Sequence, residues 1–204
     1  MTRDTQIRTE GLVLTFILTL VCISPRNVLA VPEELSNFNN NNFLVQQNDD
    51  GFNYSKPIPS VNISTLSWKT LDKMSLEYQE ALENYTAPDG MSKRYVYYLA
   101  GYDHEDRPIW IIEGGKWNIM EGVLKGQGQE MENYFMQMAQ KFIKSIPARS
   151  TPENPVTHAV FLLDFAGLDF TQLRHIPTVT YALGIAGKTI SLIEKYVGEA
   201  YLIN

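Results

Sequence analysis

Ala100-Gly101-Tyr102-Asp103-His104-Glu105-Asp106-Arg107-Pro108-Ile109-Trp110-Ile111-Ile112 sets an acidic turn and a proline ahead of an apolar, β-branched run. Tyr95 to Tyr102 alternates and is rich in strong β formers. Asp103-His104-Glu105-Asp106 supplies turn residues, and Arg107 to Glu113 reads as a second strand. Pro108 stands at the start of that strand, where a missing N–H does least harm. Together the two runs predict a hairpin, closed off by Gly114-Gly115. A second anchor is Ala159-Val160-Phe161-Leu162-Leu163-Asp164-Phe165-Ala166-Gly167-Leu168. Val160 to Phe165 is apolar on both faces, as a central parallel strand must be.

Between the anchors, Met131, Phe135, Met138, Phe142 and Ile146 recur at spacings of four, three, four and four. This is one face of a helix from about Gln129 to Ile146. Residues 147–157 hold three prolines and read as a loop. Beyond the second anchor, Val179, Leu183, Ala186, Ile190, Ile193 and Val197 predict another amphipathic helix, with Pro177 at its start. Ala200 to Ile203 begins a further strand. This alternation of strands and helices predicts an α/β fold with a mostly parallel sheet and covering helices. Ahead of the hairpin, Leu66 to Asn84 reads as one helix, with Leu66, Leu71, Met74, Tyr78 and Leu82 on a face. Ala87-Pro88-Asp89-Gly90 ends it, and residues 65–92 form a helical lead-in to the domain.

The N-terminus reads as an address. Arg3 and Arg8 precede the uncharged run Gly11–Ile23, Pro25 breaks it, and Val28-Leu29-Ala30 is a small-residue cleavage site. Thirteen helical residues would span only ~20 Å, short of a bilayer core of roughly 30 Å, which favours a cleaved signal over an anchor. Residues 1–30 are therefore expected to be a secretory signal peptide, placing the protein outside the cell or in the secretory lumen. Cleavage removes Arg3, Arg8 and Arg26 but only Asp4 and Glu10, shifting the net charge from −6 to −7. That charge argues against nucleic acid as a partner. The sole cysteine, Cys22, lies inside the signal, so the mature chain has no disulfide, thiolate nucleophile or zinc–cysteine site. Residues 31–64, with the run Asn39–Asn42, read as an Asn-rich disordered linker. Asn53, Asn62 and Asn84 each begin an N-x-S/T sequon and are candidate glycosylation sites.

Catalytic patterns are missing from the sequence. It has no G-x-S-x-G elbow, no H-E-x-x-H and no P-loop. His104, His158 and His175 form no metal-binding pair, and Asp169 and Asp164 read as surface and strand-end residues rather than an acid–base pair. No enzyme, metal or cofactor is expected.

Gly101-Tyr102-Asp103, with Arg107-Pro108-Ile109 after three intervening residues, resembles the segment that leads into the first strand of CRAL-TRIO lipid-binding domains. Those are the domains of phosphatidylinositol-transfer, tocopherol-transfer and retinaldehyde-binding proteins. Trp117-Asn118 resembles the family's Trp-Asp pair, with Asn for Asp. Asp164-Phe165-Ala166-Gly167 is similar to its Asp-Leu-Glu-Gly, with Ala166 in place of Glu. Tyr201-Leu202-Ile203-Asn204 resembles its next strand. The resemblance covers roughly Lys93 to Asn204, with Trp68-Lys69 as a remnant of the family's N-terminal helical lobe. Tyr196-Val197-Gly198-Glu199 departs from the family's aromatic-Pro-Glu. The family's gate helix, later strands and basic headgroup residues have no counterpart, so the domain is expected to be partial over 93–204 and no headgroup site is carried over.

The resemblance implies a non-enzymatic carrier that binds, and transfers with transient membrane contact, a hydrophobic small molecule of phospholipid, sterol-like or isoprenoid type. A pocket would be built from Phe161, Leu163 and Phe165 on one strand face, facing Phe135, Met138 and Phe142, with Ile176, Leu183 and Ile190 closing a side. The alternative is a truncated secreted interaction module with no ligand.

Overall fold

The computed structural model describes residues 62–88 and 90–204. The expected signal peptide, Cys22, Asn53 and nearly all of the expected linker lie outside them. The elements are α1 (Leu76–Glu83), α2 (Met91–Arg94), β1 (Tyr97–Tyr102), β2 (Pro108–Ile112), α3 (Ile119–Leu124), α4 (Gly128–Ser145), β3 (Ala159–Asp164), α5 (Ile176–Tyr196) and β4 (Val197–Ile203). The four strands form one sheet in the order β1-β2-β3-β4. β1 and β2 are an antiparallel hairpin, while β2–β3 and β3–β4 pair in parallel. The α/β reading holds, and β3 is the central strand that its two-sided apolarity requires.

The hairpin turn is organised by one carboxylate. Asp103 Oδ1 accepts from the Arg107 N–H at 2.8 Å and the Glu105 N–H at 3.0 Å, while Oδ2 accepts from Arg107 Nε at 2.7 Å. Asp106 takes the left-handed conformation (φ 60°) that an Asp tolerates in a tight turn. Arg107 also donates to Glu199 Oε1 at 2.8 Å, tying the hairpin to β4 past the start of β3. Ile109, Val160 and Glu199 lie in one row of the sheet, and Arg107, two residues before Ile109, shares their face. Trp110, Phe161 and Ala200 form the next row, on the opposite face, against which α4 and α5 pack.

The lead-in departs from expectation. The single helix over Leu66–Asn84 is broken into a 3-10 turn at Trp68–Lys73 and the α-helix α1. Ser67 caps the first by accepting from the Lys69 N–H, and Met74 and Ser75 are extended between the two. Short hydroxyl side chains favour such breaks over helix interiors. Ile63–Thr65, at the end of the expected linker, forms another 3-10 turn capped by Asn62. At its C-terminus α1 is tied to α4 by Gln137, a buried amide whose Nε2 donates to the carbonyls of Leu82, Glu83 and Tyr85 at 2.9–3.0 Å. β4 begins at Val197, directly after α5, three residues earlier than the sequence pattern placed it.

The hairpin's exit packs backbone to backbone on the end of β3. A Cβ on Gly115 would lie 2.3 Å from the carbonyl oxygen of Ala166 and from the carbonyl carbon of Phe165, so only glycine fits. Gly115→Ala is therefore expected to destabilise the protein by about 1–3 kcal/mol through forced backbone displacement. The denaturant midpoint on wild type and variant checks this, and an unchanged midpoint would contradict the packing described.

Candidate ligand cavity

Between the sheet and its two long helices lies a cavity of about 270 Å³. Its floor is Trp110 and Ile112 of β2, Phe161 and Leu163 of β3, Phe165 just beyond, and Val197 and Ala200 of β4. α4 contributes Phe135, Met138, Ala139 and Phe142. From α5 come residues at the spacing of one helical face, including Val179, Ala182, Leu183, Ala186, Thr189 and Ile193. Trp117, Leu168, Gln172 and Leu173 close the end beyond the carboxyl ends of β2 and β3. Trp117 stacks on Phe135 at 5.2 Å with nearly parallel rings, and Phe142 meets Phe161 edge to face at 5.0 Å.

The polar groups around this space are already bonded. Trp110 Nε1 donates to Ser145 Oγ at 2.9 Å and Trp117 Nε1 to the Val96 carbonyl at 3.1 Å. Gln172 is satisfied at both ends: its Oε1 accepts from the Met120 N–H and its Nε2 donates to the Trp117 carbonyl. Thr189 donates to carbonyls of its own helix, and Thr178 Oγ1 pairs with His175 Nδ1 at 2.7 Å. Tyr181 donates to the Gly128 carbonyl at 2.9 Å, which also pins α5 to the start of α4. Burial holds its phenol well above the usual tyrosine range, so it stays a neutral donor. Among the described residues the buried side-chain polar atom without a partner is Gln140 Oε1, which is not part of the cavity wall. A ligand here meets apolar surface and aromatic rings.

Phe135, Met138, Phe142, Phe161, Leu163, Phe165 and Leu183 are all brought to this cavity. Ile176 and Ile190 are not. Ile176 is 77% exposed in the first turn of α5 and is not part of the cavity wall. Ile190 follows Thr189, which does line the cavity, and one residue on a helix rotates a side chain by about 100°. α5 is apolar over most of its circumference, so periodicity alone leaves its phase loose. The sequence pattern did not single out Trp68, Trp110, Trp117 or Gln172 for the wall. The three tryptophans are all those in the chain, and each borders the cavity.

Residues 92–198 match the family model of the CRAL/TRIO domain. The chain belongs to the CRAL/TRIO family. No curated protein matches it. At the level of the family, CRAL/TRIO domains bind and transfer lipophilic ligands, and the hydrophobic small-molecule partner follows for this chain on that ground. Both anchors of the fold, the Tyr102–Pro108 turn and the Asp164–Gly167 strand end, fall inside the matched CRAL/TRIO region. Asp164 is used structurally there: its Oδ1 accepts from the Ala166 N–H at 2.8 Å and from Asn204 Nδ2 at 2.9 Å.

Leu163 separates packing from cavity. It is 6% exposed yet borders the empty space, so fewer atoms surround it than in a filled core. Leu163→Ala is expected to cost less apo stability than the ~2–5 kcal/mol of a close-packed leucine, and to abolish most of the stabilisation added by a bound lipid. Paired thermal melts with and without lipid check this. A full core-sized loss, equal in both states, would remove Leu163 from the ligand site.

Proposed function

We propose that this protein is a non-enzymatic carrier that holds one small hydrophobic molecule, of phospholipid, sterol-like or isoprenoid type, in the cavity between the sheet, α4 and α5. The observation that supports the reading is the wall itself, whose aromatic and aliphatic surface leaves its polar groups paired with protein. Burial of a ligand there is favourable by roughly 25 cal/mol per Å² of apolar surface. Transfer requires a brief encounter with a membrane, and two exposed apolar side chains suit that role. Phe170, 55% exposed, precedes the wall residues Gln172 and Leu173, and Ile176, 77% exposed, lies between them and the wall residue Thr178.

Because all three tryptophans border the cavity, intrinsic fluorescence reports its occupancy. Protein purified without detergent is expected to release lipid detectable by mass spectrometry at a sizeable fraction of one molecule per chain. A bromine-labelled lipid is expected to quench the tryptophan emission and to move between donor and acceptor vesicles faster when protein is added. An empty protein that shows neither quenching nor transfer would overturn the carrier reading and favour a ligand-free interaction module.

The proposal extends to the compartment: a secreted or lumenal protein cleaved after Ala30 and glycosylated on at least one of Asn53, Asn62 and Asn84. Asn62 and Asn84 are exposed, Asn84 at the end of α1, although Asn62 Oδ1 also accepts from the Ser64 N–H at 3.0 Å. Expression in a eukaryotic secretory host should yield protein in the medium beginning at Val31, with gel mobility that increases after amidase removal of N-glycans. Cytosolic product that retains Met1 would contradict it.

A further inference from the structure

We infer that Trp68, in a 3-10 turn ahead of the matched domain region, is a working wall of the ligand site, closing the seam between α4 and α5 and governing how fast a ligand leaves. This rests on the carrier reading above.

The placement of Trp68 is unusual for a lead-in. It is 4% exposed and borders the cavity, although it precedes the matched residues 92–198 by more than twenty positions. Its 3-10 turn packs on both α4 and α5. The indole Nε1 donates to Glu132 Oε1 of α4 at 2.9 Å, and Lys188 of α5 donates to the same carboxylate at 2.7 and 2.9 Å. Glu132 thus joins the indole to both helices at the seam. At the far end of the turn, Asp72 Oδ2 accepts from Lys195 Nζ at 2.5 Å and from the Tyr196 hydroxyl at 3.0 Å. The Asp72 side chain is only 7% exposed, while its partner Lys195 is half exposed. The hydrogen bond from Lys195, above all, holds its carboxyl below the usual aspartate range, and the latch is therefore ionised at neutral pH.

The walls differ in how firmly they are built. The floor is a hydrogen-bonded sheet, and α4 and α5 run for 18 and 21 residues. The Trp68 wall is a six-residue 3-10 turn. Such turns have poor internal bonding and little stability of their own. This one is held by the buried side chains of Trp68 and Leu71, by the indole's bond to Glu132, and by the bonds that Lys195 and Tyr196 donate to Asp72. The cavity is partly open to solvent, with Phe161 and Phe165 half-buried and Leu183 exposed; local opening selects the element with the fewest bonds to break, so the Trp68 turn is the wall that yields most readily to widen its mouth.

The test uses the full chain loaded with the neutral fluorophore phenylnaphthylamine, whose release into empty vesicles is followed by stopped flow. Trp68→Ala is expected to speed release on the order of tenfold, an effect on the off-rate rather than the on-rate. Asp72→Asn, which loosens the latch without touching the wall, is expected to speed release by a smaller factor and keeps the test open should Trp68→Ala fail to fold. Leu82→Ala is the control, because Leu82 is fully buried in the same lead-in core but does not line the cavity. It should lower the melting temperature and leave release unchanged. Wild-type release rates in both Trp68→Ala and Asp72→Asn, or an equal acceleration in Leu82→Ala, would overturn the inference while the carrier reading stands. A wild-type protein that takes up no fluorophore would overturn both.

Discussion

Everything about the site depends on β3 being paired in parallel on both edges. Its N–H and C=O groups are consumed by β2 and β4, so the strand can be apolar throughout and lie in the middle of the sheet. Alternation then divides its side chains: Phe161 and Leu163 face the helices, and Val160 and Leu162 face away. Both long helices pack on the first of those faces. A ligand cavity exists because they rest there without filling the space above it.

Holding that space open takes polar work at its borders. Tyr181 fastens α5 to the start of α4, and Gln172 bridges the loop after β3 to the segment around α3. The Arg107 fork joins the hairpin turn to β4, on the sheet face away from the cavity. These bonds sit around the apolar interior, so rigidity and dryness come from the same arrangement. Buried polar groups cost little when they are paired, and an apolar ligand then competes only with poorly bonded water.

The lead-in is the structural counterweight. Trp68 and Asp72 reach back onto the two helices, and Gln137 caps α1 from the middle of α4. The residues before the matched region are thereby part of the same packed unit as the sheet. The cavity wall is shared between the family's domain and Trp68 ahead of it.

Much of this was legible in the sequence, and the limits have physical causes. The Asp103–Pro108 turn between two β-rich runs specified the hairpin, because turn chemistry is local. The two-sided apolarity of Val160–Phe165 specified a central strand, and the four-three-four spacing of α4 specified which of its side chains face the sheet. Six side chains that border the cavity, Phe161, Leu163, Phe165, Phe135, Met138 and Phe142, lie on those two patterns, since a strand and a strongly amphipathic helix each have a definite inner face. The phase of α5 is less sharply set, because a helix apolar on most sides has no sharp boundary; Leu183 borders the cavity, while Ile176, in the exposed first turn, and Ile190 do not. The break at Met74–Ser75 was decided by the geometry between turns rather than by the apolar period that spans it. Trp68 at the cavity wall was beyond any local reading: its role depends on a contact with Glu132, 64 residues away, and on two helices brought side by side only by the folded sheet.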